Sequence, residues 1–518
     1  MKLHLLLLST VPSSVVGYFA QANNAHVEFI SLSSSSSSGD VDGSRSGGGS
    51  GSSDDGDINE AEWKTLLHST LQEKLAQLNY IPSDKDLNGE AEGGDGEGGA
   101  AALSSSASAT DMIMKLFEEW TVKFDKEYES LSEHANKMVI WFENHVLIEQ
   151  HNINAKQGLS SFYLGHNEYS DMTHAEFCKL MKLGEFTPGL VMSGDEPKEL
   201  KNFMDKERSP TSNNLRGPSM ETPTAIARTL LTSDANDDND EEVEEEVDWH
   251  KKGLLGPIRN QGICGACWAF ATIGSIESAM AIDKYNKMSP DEREKLHLSG
   301  GDDADLGLVI PLSEQNLIDC DTRFEKGCEG GLMTTTFDEE ENHNGICSEA
   351  DYPYLATDGT CSSSMCTPVK GSIVKDHVDI APRKTKALVE ALKVKPVTAA
   401  MVANDPMLQF YSSGIYDSDY GKVTKEMGDP ECMRLYEGQD VCLPDINHGV
   451  LVVGYGKDDM ATTDNKLFFK IKNSWGDTWG EDGYLRLARK DTDPTDPLTN
   501  WGECGILTLL SYPVMETL

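Results

Sequence analysis

The amino-acid sequence predicts an α+β domain in its C-terminal half, preceded by a small helical domain. Three observations lead to this prediction. From Val247 onward, glycine, aromatic and β-branched residues with scattered cysteines replace a more polar texture. Within that region an apolar stretch with helical character runs from Cys267 to Met280. Upstream, aromatic residues recur among polar ones between residues 111 and 184, as is typical of amphipathic helices.

The first 22 residues are predicted to form a secretory signal peptide. Lys2 precedes an apolar run from Leu3 to Leu8, and residues 20–22 form a small-residue cleavage pattern. The alternative is a buried strand or short helix at the start of a cytosolic domain. No later stretch approaches the ~20 apolar residues that a spanning helix needs, so we expect the mature protein to be soluble.

Residues 23–110 are expected to be largely disordered. The tract 31–57 consists mainly of Ser, Gly and Asp, and the tract 84–110 of Gly, Glu, Ala and Ser, compositions that cannot bury enough apolar surface to fold. One amphipathic stretch separates them, from Trp63 to Leu78, with leucines at helical spacing. It could dock on another part of the chain or be a marginal isolated helix.

Residues 111–186 are predicted to form the small helical domain, whose longest helix should run from Ser132 to Ile153. Its aromatic anchors are Phe117, Trp120, Phe124, Trp141 and Phe142. Residues 187–246 then form an acidic, proline-containing linker that ends in a run of glutamates, and such like-charge runs stay extended and accessible. A proteolytic cleavage is therefore expected in this linker, before the domain of residues 247–518.

Charge and cysteine content limit the partners and the compartment. The formal charge is −43, and residues 248–518 carry 26 basic and 44 acidic side chains, a formal charge of −18. Nucleic acids and anionic membranes bind through clustered Lys and Arg and are not expected as partners. Ten of the eleven cysteines follow residue 260, which fits an oxidising compartment, and their odd number suggests a free thiol.

A cysteine at the start of the predicted apolar helix is the candidate nucleophile. The positive end of the helix dipole and free backbone N–H groups stabilise a thiolate there, so we expect the pKa of Cys267 to lie well below the ~8.5 of a free cysteine. A thiolate nucleophile also needs an acid/base partner to protonate the leaving amine. Among the histidines, His448 in Asp-Ile-Asn-His-Gly has the most suitable context.

Further polar residues complete the candidate site. Asn473, in Lys-Asn-Ser-Trp-Gly, could orient the imidazole through its side-chain oxygen, with Trp475 and Trp479 shielding that hydrogen bond from water. Gln261 and the backbone N–H of the cysteine could stabilise an oxyanion. Singly, a cysteine at a helix start or a lone histidine is more often structural. Their joint occurrence indicates a catalytic site.

The three sequence blocks around these residues resemble the active-site blocks of papain-family cysteine proteases. They span residues 261–270, 447–456 and 473–483 in the family's order, and the resemblance covers roughly residues 247–518. It implies a two-lobed papain-like fold, with a helical lobe around Cys267 and a β-barrel-like lobe. It also implies peptide hydrolysis by a Cys-His-Asn triad, without a cofactor or a metal ion.

The upstream helical domain resembles the inhibitory pro-domain of cathepsin L-like zymogens. A short motif at residues 165–171 and the long predicted helix carry this resemblance, although Lys137 and Trp141 replace the usual Arg and Phe. The helix matches at Glu133, Lys137, Trp141, Asn144, Ile148 and Asn152. The resemblance implies a latent enzyme whose own pro-segment is its intramolecular inhibitor. We expect activation in acid, because protonation of Asp and Glu should weaken charged contacts that hold the pro-segment.

The distance between nucleophile and histidine departs from the family pattern. His448 lies 181 residues after Cys267, against the ~130–150 expected. Two polar insertions rich in Asp or Gly, Asn286 to Ile310 and Asp419 to Val441, contain the excess. We expect both to be surface loops that could reshape the rim of the cleft.

The resemblance also implies a set of disulfides that leaves Cys267 free. The implied bridges are Cys264 with Cys328, Cys320 with Cys361, and Cys442 with Cys504. Cys347 with Cys366 would make a plausible extra pair. Cys432 has no evident partner and could compete with Cys442, and Cys178 in the pro-segment is expected to be unpaired.

The resemblance further implies a substrate wall and a specificity pocket. Bare backbone at Gly330 and Gly331 would let an extended peptide approach and pair as a strand. The remaining expected substrate-binding residues are Leu332, Met333, Ala400, Ile446, Gly449, Trp475 and Leu509. Because no charged side chain lines the pocket, we expect Leu, Phe or Val two residues before the scissile bond. No two-histidine lid of the dipeptide-trimming type is evident, which favours endopeptidase activity.

Two other functions are compatible with this scaffold. One is a catalytically silent binding, storage or inhibitor protein, which the presence of Cys267 disfavours. The other is a maturase or peptide ligase with the same triad, which analysis of the products would separate from hydrolysis. We expect a monomer that acts on proteins and peptides in the secretory pathway, in a lysosome or vacuole, or outside the cell.

Overall fold

The computed structural model describes twelve ranges of the chain, and they form two compact units. The first unit is drawn from residues up to Leu147 and from Ser170–Ala175, and the second from Ile148–Tyr169 and from Glu176 onward. The described ranges are 60–78, 106–183, 246–300, 307–340, 344–362, 366–418, 434–436, 439–441, 444, 446–461, 466–490 and 501–516. The predicted signal peptide and nearly all of the acidic linker therefore lie outside the described residues.

The first unit contains helices α1 (Glu60–Gln77), α2 (Ser106–Lys123) and most of α3 (Leu131–Lys156). Leucines of α1 share one buried cluster with the aromatic residues of α2 and α3, so the amphipathic helix docks and is not isolated. Helix α2 begins at Ser106, five residues before the predicted start of the helical domain at residue 111. The cluster contains Leu67, Leu71, Leu75, Ile113, Phe117, Trp120, Met138, Trp141 and Phe142.

Hydrogen bonds also hold residues 170–172 in the first unit. Asn144 Nδ2 donates to the carbonyl oxygens of Ser170 and Met172, both at 2.9 Å. The buried carboxylate of Asp171 lies 3.3 Å from Lys126 Nζ and accepts a hydrogen bond of 3.0 Å from the hydroxyl of Tyr128. Because a buried charge is costly without partners, these contacts stabilise the loop.

The second unit is built on one mixed sheet with the order β1-β5-β10-β9-β8-β4-β11-β3, and β2 pairs with β8. The strands are β1 (Phe162–Leu164), β2 (Val247–Asp248), β3 (Val374–Asp379), β4 (Val397–Met401), β5 (Tyr411–Tyr416), β8 (His448–Lys457), β9 (Leu467–Lys472), β10 (Tyr484–Ala488) and β11 (Leu510–Met515). A separate hairpin contains β6 (Arg434–Tyr436) and β7 (Gln439–Val441). Strand β8 is central and buried along all but its last residue.

Helices accompany the sheet and confirm the α+β class. They are α4 (His174–Leu180), α5 (Cys267–Lys287), α6 (Pro290–Gly300), α7 (Glu314–Cys320), α8 (Met333–Glu340) and α9 (Thr385–Leu392). Helix α5 is the longest of these, and its apolar residues share a core cluster with residues from α7, α8 and β4. No helix among the described residues has the length and apolar character needed to cross a membrane.

Both insertions contain secondary structure, so the prediction of plain surface loops is wrong. The first forms α6, and Ser289 caps it. The N–H of Glu292 donates to Ser289 Oγ at 3.3 Å, and Glu292 Oε2 accepts from the N–H of Ser289 at 2.8 Å. This reciprocal pair is a capping box, which the Ser-x-x-Glu spacing already contained. The second insertion contributes the hairpin of β6 and β7.

Candidate active site

The candidate nucleophile, Cys267, is the first residue of α5 and is only 4% exposed. The loop before it is held by a disulfide between Cys264 and Cys328 and by a 2.9 Å hydrogen bond from the N–H of Gly265 to the carbonyl of Cys328. Trp268 buries its ring and donates from Nε1 to the carbonyl that precedes Cys328, at 3.0 Å. One covalent bond and two hydrogen bonds therefore position the start of the helix.

The candidate base, His448, is the first residue of β8 and pairs in register with Met401 on β4. Its Nε2 lies 2.8 Å from Oδ1 of Asn473, which directly follows β9. The N–H of Ser474 donates to the same oxygen at 2.9 Å and fixes the amide orientation. An amide oxygen only accepts, so Nε2 of the neutral ring carries the proton and Nδ1 keeps its lone pair.

Backbone contact between α5 and β8 brings cysteine and histidine together. A Cβ at Gly449 would lie 3.3 Å from the nitrogen of Trp268 and 3.4 Å from the carbonyl carbon of Cys267. The backbone N–H of Gly449 favours the thiolate form of Cys267. Nδ1 of the neighbouring His448 is buried and has no hydrogen-bond partner among the described residues. This nitrogen is therefore available for a proton from the active site.

Gln261 is fully buried and is hydrogen-bonded to Ser474, next to Asn473, and to Cys264, near Cys267. Its N–H donates to the carbonyl of Ser474 at 2.9 Å, and its Oε1 accepts from the hydroxyl of Ser474 at 2.7 Å. Its Nε2 donates to the carbonyl of Cys264 at 3.1 Å. Since an amide nitrogen has two hydrogens, one remains for a further acceptor.

Two buried tryptophans lie beside the imidazole, the first against it and the second behind the first. The ring centroid of Trp475 lies 4.8 Å from that of His448, and Trp479 packs edge-on against Trp475 at 5.0 Å. The indole of Trp479 donates to the carbonyl of Leu408 at 3.1 Å. The bond between His448 and Asn473 is thereby shielded from water, as the sequence suggested.

The prediction of an ionised thiol is wrong for this closed form of the chain. Burial raises the pKa of Cys267 to about 11, although backbone N–H groups of Gly449 and Trp268 oppose the shift. Burial also lowers the pKa of His448 to about 4, against the opposing hydrogen bond to Asn473. Desolvation of the charged forms outweighs the helix N-terminus, so both groups are neutral at pH 7.

The predicted substrate wall and pocket residues come together beside Trp268. A Cβ at Gly331 would lie 2.6 Å from the Trp268 ring, so no side chain fits there. Gly330 ends a short 3-10 helix, and Leu332 is half-buried. The remaining pocket residues lie in or against one apolar cluster: Met333, Ala400, Ile446 and Leu509.

The part of the upstream segment that belongs to the second unit covers this site. Strand β1 pairs antiparallel with β5. Tyr169 donates from its hydroxyl to the carbonyl of Trp475 at 3.0 Å, and Phe177 packs edge-on against the Trp475 ring at 5.2 Å. On the side of the site that carries Cys267, a Cβ at Gly265 would lie 3.1 Å from Cβ of Lys182. The role of Phe177 was missed, because nothing in the sequence distinguishes it from the other aromatic residues.

The disulfides of the described residues lie on the cysteine side of the site. They join Cys264 to Cys328, Cys320 to Cys361 and Cys347 to Cys366. Cys178 takes part in none of them. Cys504 is buried and is a free cysteine, so the predicted pair of Cys442 with Cys504 is wrong for this structure. Cys432 and Cys442 themselves lie outside the described residues. Among the described residues, no group of three or more His, Cys, Asp or Glu is arranged to hold a metal ion.

Comparison with known families identifies the chain. The profile of papain family cysteine proteases matches residues 243–296 and 304–514. The chain belongs to the papain family of cysteine proteases. The profile of the cathepsin propeptide inhibitor domain matches residues 117–177, so this papain-family protease carries its propeptide inhibitor domain in the same chain.

Relatives and solved structures agree with this assignment. The protease is 30% identical to cysteine protease XCP2 of Arabidopsis thaliana over 403 residues, which is 78% of this chain and 86% of that protein. It is 30% identical to cathepsin L of Sarcophaga peregrina over 416 residues, 80% of this chain and 96% of that protein. Digestive procathepsin L 3 of the Tenebrio molitor larval midgut matches with a TM-score of 0.51 and 26% identity, over 78% of this chain and 99% of that structure. The papain-like fold with a propeptide and the cathepsin L-like precursor are thereby confirmed, and the protein is a cysteine peptidase.

Proposed function

We propose that this protease is an endopeptidase zymogen with Cys267 as nucleophile, His448 as acid and base, Asn473 as the orienting residue and Gln261 as an oxyanion donor. One observation supports the assignment most strongly. Nδ1 of His448 is a buried acceptor without a partner among the described residues, and the next residue along β8 packs against the backbone of Cys267 and Trp268.

The proposed reaction begins when the thiol proton moves to Nδ1 of His448. The sulfur then attacks the scissile carbonyl carbon, and the C=O electron pair moves to oxygen, which accepts hydrogen bonds from Gln261 Nε2 and the N–H of Cys267. The C–N bond breaks as the imidazolium protonates the leaving amine, which leaves a thioester. Water, deprotonated by His448, attacks the thioester, releases the carboxylic acid and restores the thiol.

Substrate preference follows from the pocket lining. Met333, Ala400 and Ile446 are apolar and buried, and Leu509 packs against them. A charged side chain placed there would lose its hydration without gaining a partner. We therefore expect Leu, Phe or Val two residues before the scissile bond.

Maturation would remove the segment that covers the site. Residues 111–186 act as the inhibitory pro-domain in this proposal, and a cleavage within residues 187–246 releases the peptidase of residues 247–518. The predicted signal peptide and the disulfides favour a lysosome, a vacuole or the extracellular space, and the active enzyme would be a monomer.

Acid should favour opening of the precursor. The pKa of His448 is about 4 in the closed form, against 6.5 for an ordinary histidine. The closed form therefore loses stability relative to a solvent-exposed histidine as pH falls from 6.5 to 4, by on the order of 3 kcal/mol. Protonation of His448 acts in the same direction as protonation of the carboxylates that contact the pro-segment. Equal activity of the full-length protein at neutral and acid pH would contradict the expected activation in acid.

Hydrolysis of a fluorogenic peptide with Leu or Phe at the second position tests the proposal. Wild type, Cys267→Ala and Cys178→Ala are each incubated in acid, and release of the pro-segment is followed separately. We expect activity in wild type and in Cys178→Ala, whose thiol lies in the pro-segment, and none in Cys267→Ala. If the pro-segment is removed and wild type still cleaves nothing, the scaffold is catalytically silent and the proposal fails.

A further inference from the structure

The first unit contains a helix that lies outside the match to the propeptide inhibitor family. The family profile begins at residue 117, whereas α1 spans Glu60–Gln77. Leu67, Leu71 and Leu75 of α1 are 1%, 0% and 7% exposed and belong to the same buried cluster as the aromatic residues of α2 and α3. Residues four positions apart lie on one face of a helix, so α1 packs one apolar face over about two turns.

Polar contacts join α1 to both neighbouring helices. Lys74 Nζ pairs with Oε1 of Glu143 on α3, and the two side chains are 18% and 40% exposed. His68 Nε2 lies 3.5 Å from Oδ1 of Asp111 on α2. A shift of α1 by one turn, ~5.4 Å along its axis, would break both contacts, so they fix the register in which α1 docks.

Helix α1 depends on the fold of its neighbours. An isolated helix of 18 residues is marginal in water, and most helical stability in proteins comes from packing of an apolar face. The cluster that α1 joins contains Phe117 and Trp120 of α2 and Trp141 of α3, which are together only while these helices are folded. A segment that binds the folded state and not the unfolded one stabilises the folded state. Docking of α1 therefore opposes opening of α2 and α3.

Helix α3 connects this cluster to the segment that covers the active site. Near its C-terminal end, Asn152 Nδ2 donates to the carbonyl of Leu164, and Asn152 Oδ1 accepts the N–H of Leu164, both at 2.9 Å. Leu164 belongs to β1, which pairs with β5 of the peptidase domain. Because helix formation is cooperative, opening of α3 also weakens the hold of Asn152 on β1.

We propose that α1 is an autoinhibitory clasp, which docks on α2 and α3, keeps them folded and so slows release of the pro-segment from the active site. The proposal rests on the proposed zymogen function. It gives a role to an amphipathic helix that precedes the family's inhibitor domain, and it predicts a precursor that activates more slowly than the inhibitor domain alone would allow.

Hydrogen exchange in the inactive Cys267→Ala precursor measures the clasp without any catalysis. Adding Leu71→Ala should speed exchange of the α2 and α3 amides at least tenfold, because truncation of a fully buried leucine favours local opening. Exchange in β8 and β9 should not change. The matched control is Glu73→Ala, which removes an exposed side chain from the same helix and should leave exchange at the wild-type rate. Unchanged exchange with Leu71→Ala would overturn the inference.

The active precursor tests whether docking controls latency. At one acid pH, Leu71→Ala should speed the appearance of activity on a fluorogenic peptide at least tenfold, and Glu73→Ala should not. Each fully processed enzyme should then have the wild-type kcat/KM. If α2 and α3 open more readily but activation keeps its wild-type rate, α1 is only structural and the inference is wrong, while the protease assignment stands.

A charge exchange keeps the test independent of any folding defect in Leu71→Ala. Lys74→Glu should speed activation about two- to fivefold, the range of a partly exposed ion pair, and Lys74→Glu/Glu143→Lys should restore the wild-type rate. Failure of the double variant to restore slow activation would count against the docked register. If no precursor gives activity after its pro-segment has been removed, the proposed function itself fails, and the exchange experiment on Cys267→Ala still decides whether α1 stabilises α2 and α3.

Discussion

The two walls of the active-site cleft are stabilised in different ways. On the wall that carries Cys267, the three disulfides of the described residues all lie between residues 264 and 366. On the wall that carries His448, residue positions depend on the ladders of β4, β8, β9 and β10. The proposed nucleophile is thus positioned by cross-links and a helix start. The proposed base is positioned by pairing between segments distant in sequence.

Removal of a disulfide should have the largest effect on stability. In an inactive Cys267→Ala background, the double variant Cys264→Ala/Cys328→Ala opens a loop of 64 residues and should lose about 4 kcal/mol of unfolding free energy. Denaturant unfolding of the precursor measures this. The pair Cys347 and Cys366 closes a loop of 19 residues and should cost about 3 kcal/mol. Losses below 1 kcal/mol would mean that packing alone holds the cysteine wall.

A buried carboxyl on the histidine wall should give the next largest effect. Burial raises the pKa of Glu503 to about 7, against the ion pair with Lys490. The stabilising contribution of Glu503 is therefore complete below the ordinary pKa of 4.5 and is lost as pH rises through 7, on the order of 3 kcal/mol. Glu503→Gln should flatten the dependence of unfolding free energy on pH between 4.5 and 7. Glu390→Gln, which removes a carboxylate that pairs with Lys393 near the end of α9, is the control. If the unfolding free energies of Glu503→Gln and wild type changed in parallel with pH, the expectation would be contradicted.

A methyl group added to the central strand β8 tests how strictly its pairing with β2 fixes the backbone. A Cβ at Gly454 would collide with the carbonyl oxygen of Val247, where β2 pairs with β8. Gly454→Ala should therefore cost about 1–3 kcal/mol. Gly456→Ala on the same strand meets only side-chain atoms of Phe468 and Glu246 and should cost less. Equal unfolding free energies for the two variants would show that the ladder accommodates the added methyl group.

The smallest effect is expected where the pro-segment meets the cysteine wall. Its contact with the histidine wall is aromatic, between Phe177 and Trp475, but its contact with the cysteine wall includes the exposed pair of Lys182 with Glu329. Lys182→Gln in the precursor should raise activity at neutral pH by at most about fivefold, since such a pair contributes up to ~1 kcal/mol. Lys179→Gln, on the exposed face of α4, should leave latency unchanged. A fully active Lys182→Gln precursor would show that this ion pair alone maintains latency.

The sequence by itself determined the features that depend on neighbouring residues. These include the helix that starts at Cys267, the amphipathic pattern of α1, and the three blocks that indicate the family. Even α6 was encoded locally, in the capping box of Ser289 and Glu292, and was overlooked because the insertion is polar.

Only the tertiary structure decided which groups are buried together. The contact of Gly449 with Cys267 depends on strand register, and the pairing of β1 with β5 joins residues about 250 positions apart. The raised pKa of Cys267 and the lowered pKa of His448 both result mainly from desolvation by burial. Hydrophobic periodicity and helix capping depend on a few neighbouring residues, whereas burial and charge depend on every atom nearby in space. For this reason the position at the helix start predicted an ionised thiol for Cys267, and burial in the folded chain keeps that thiol neutral.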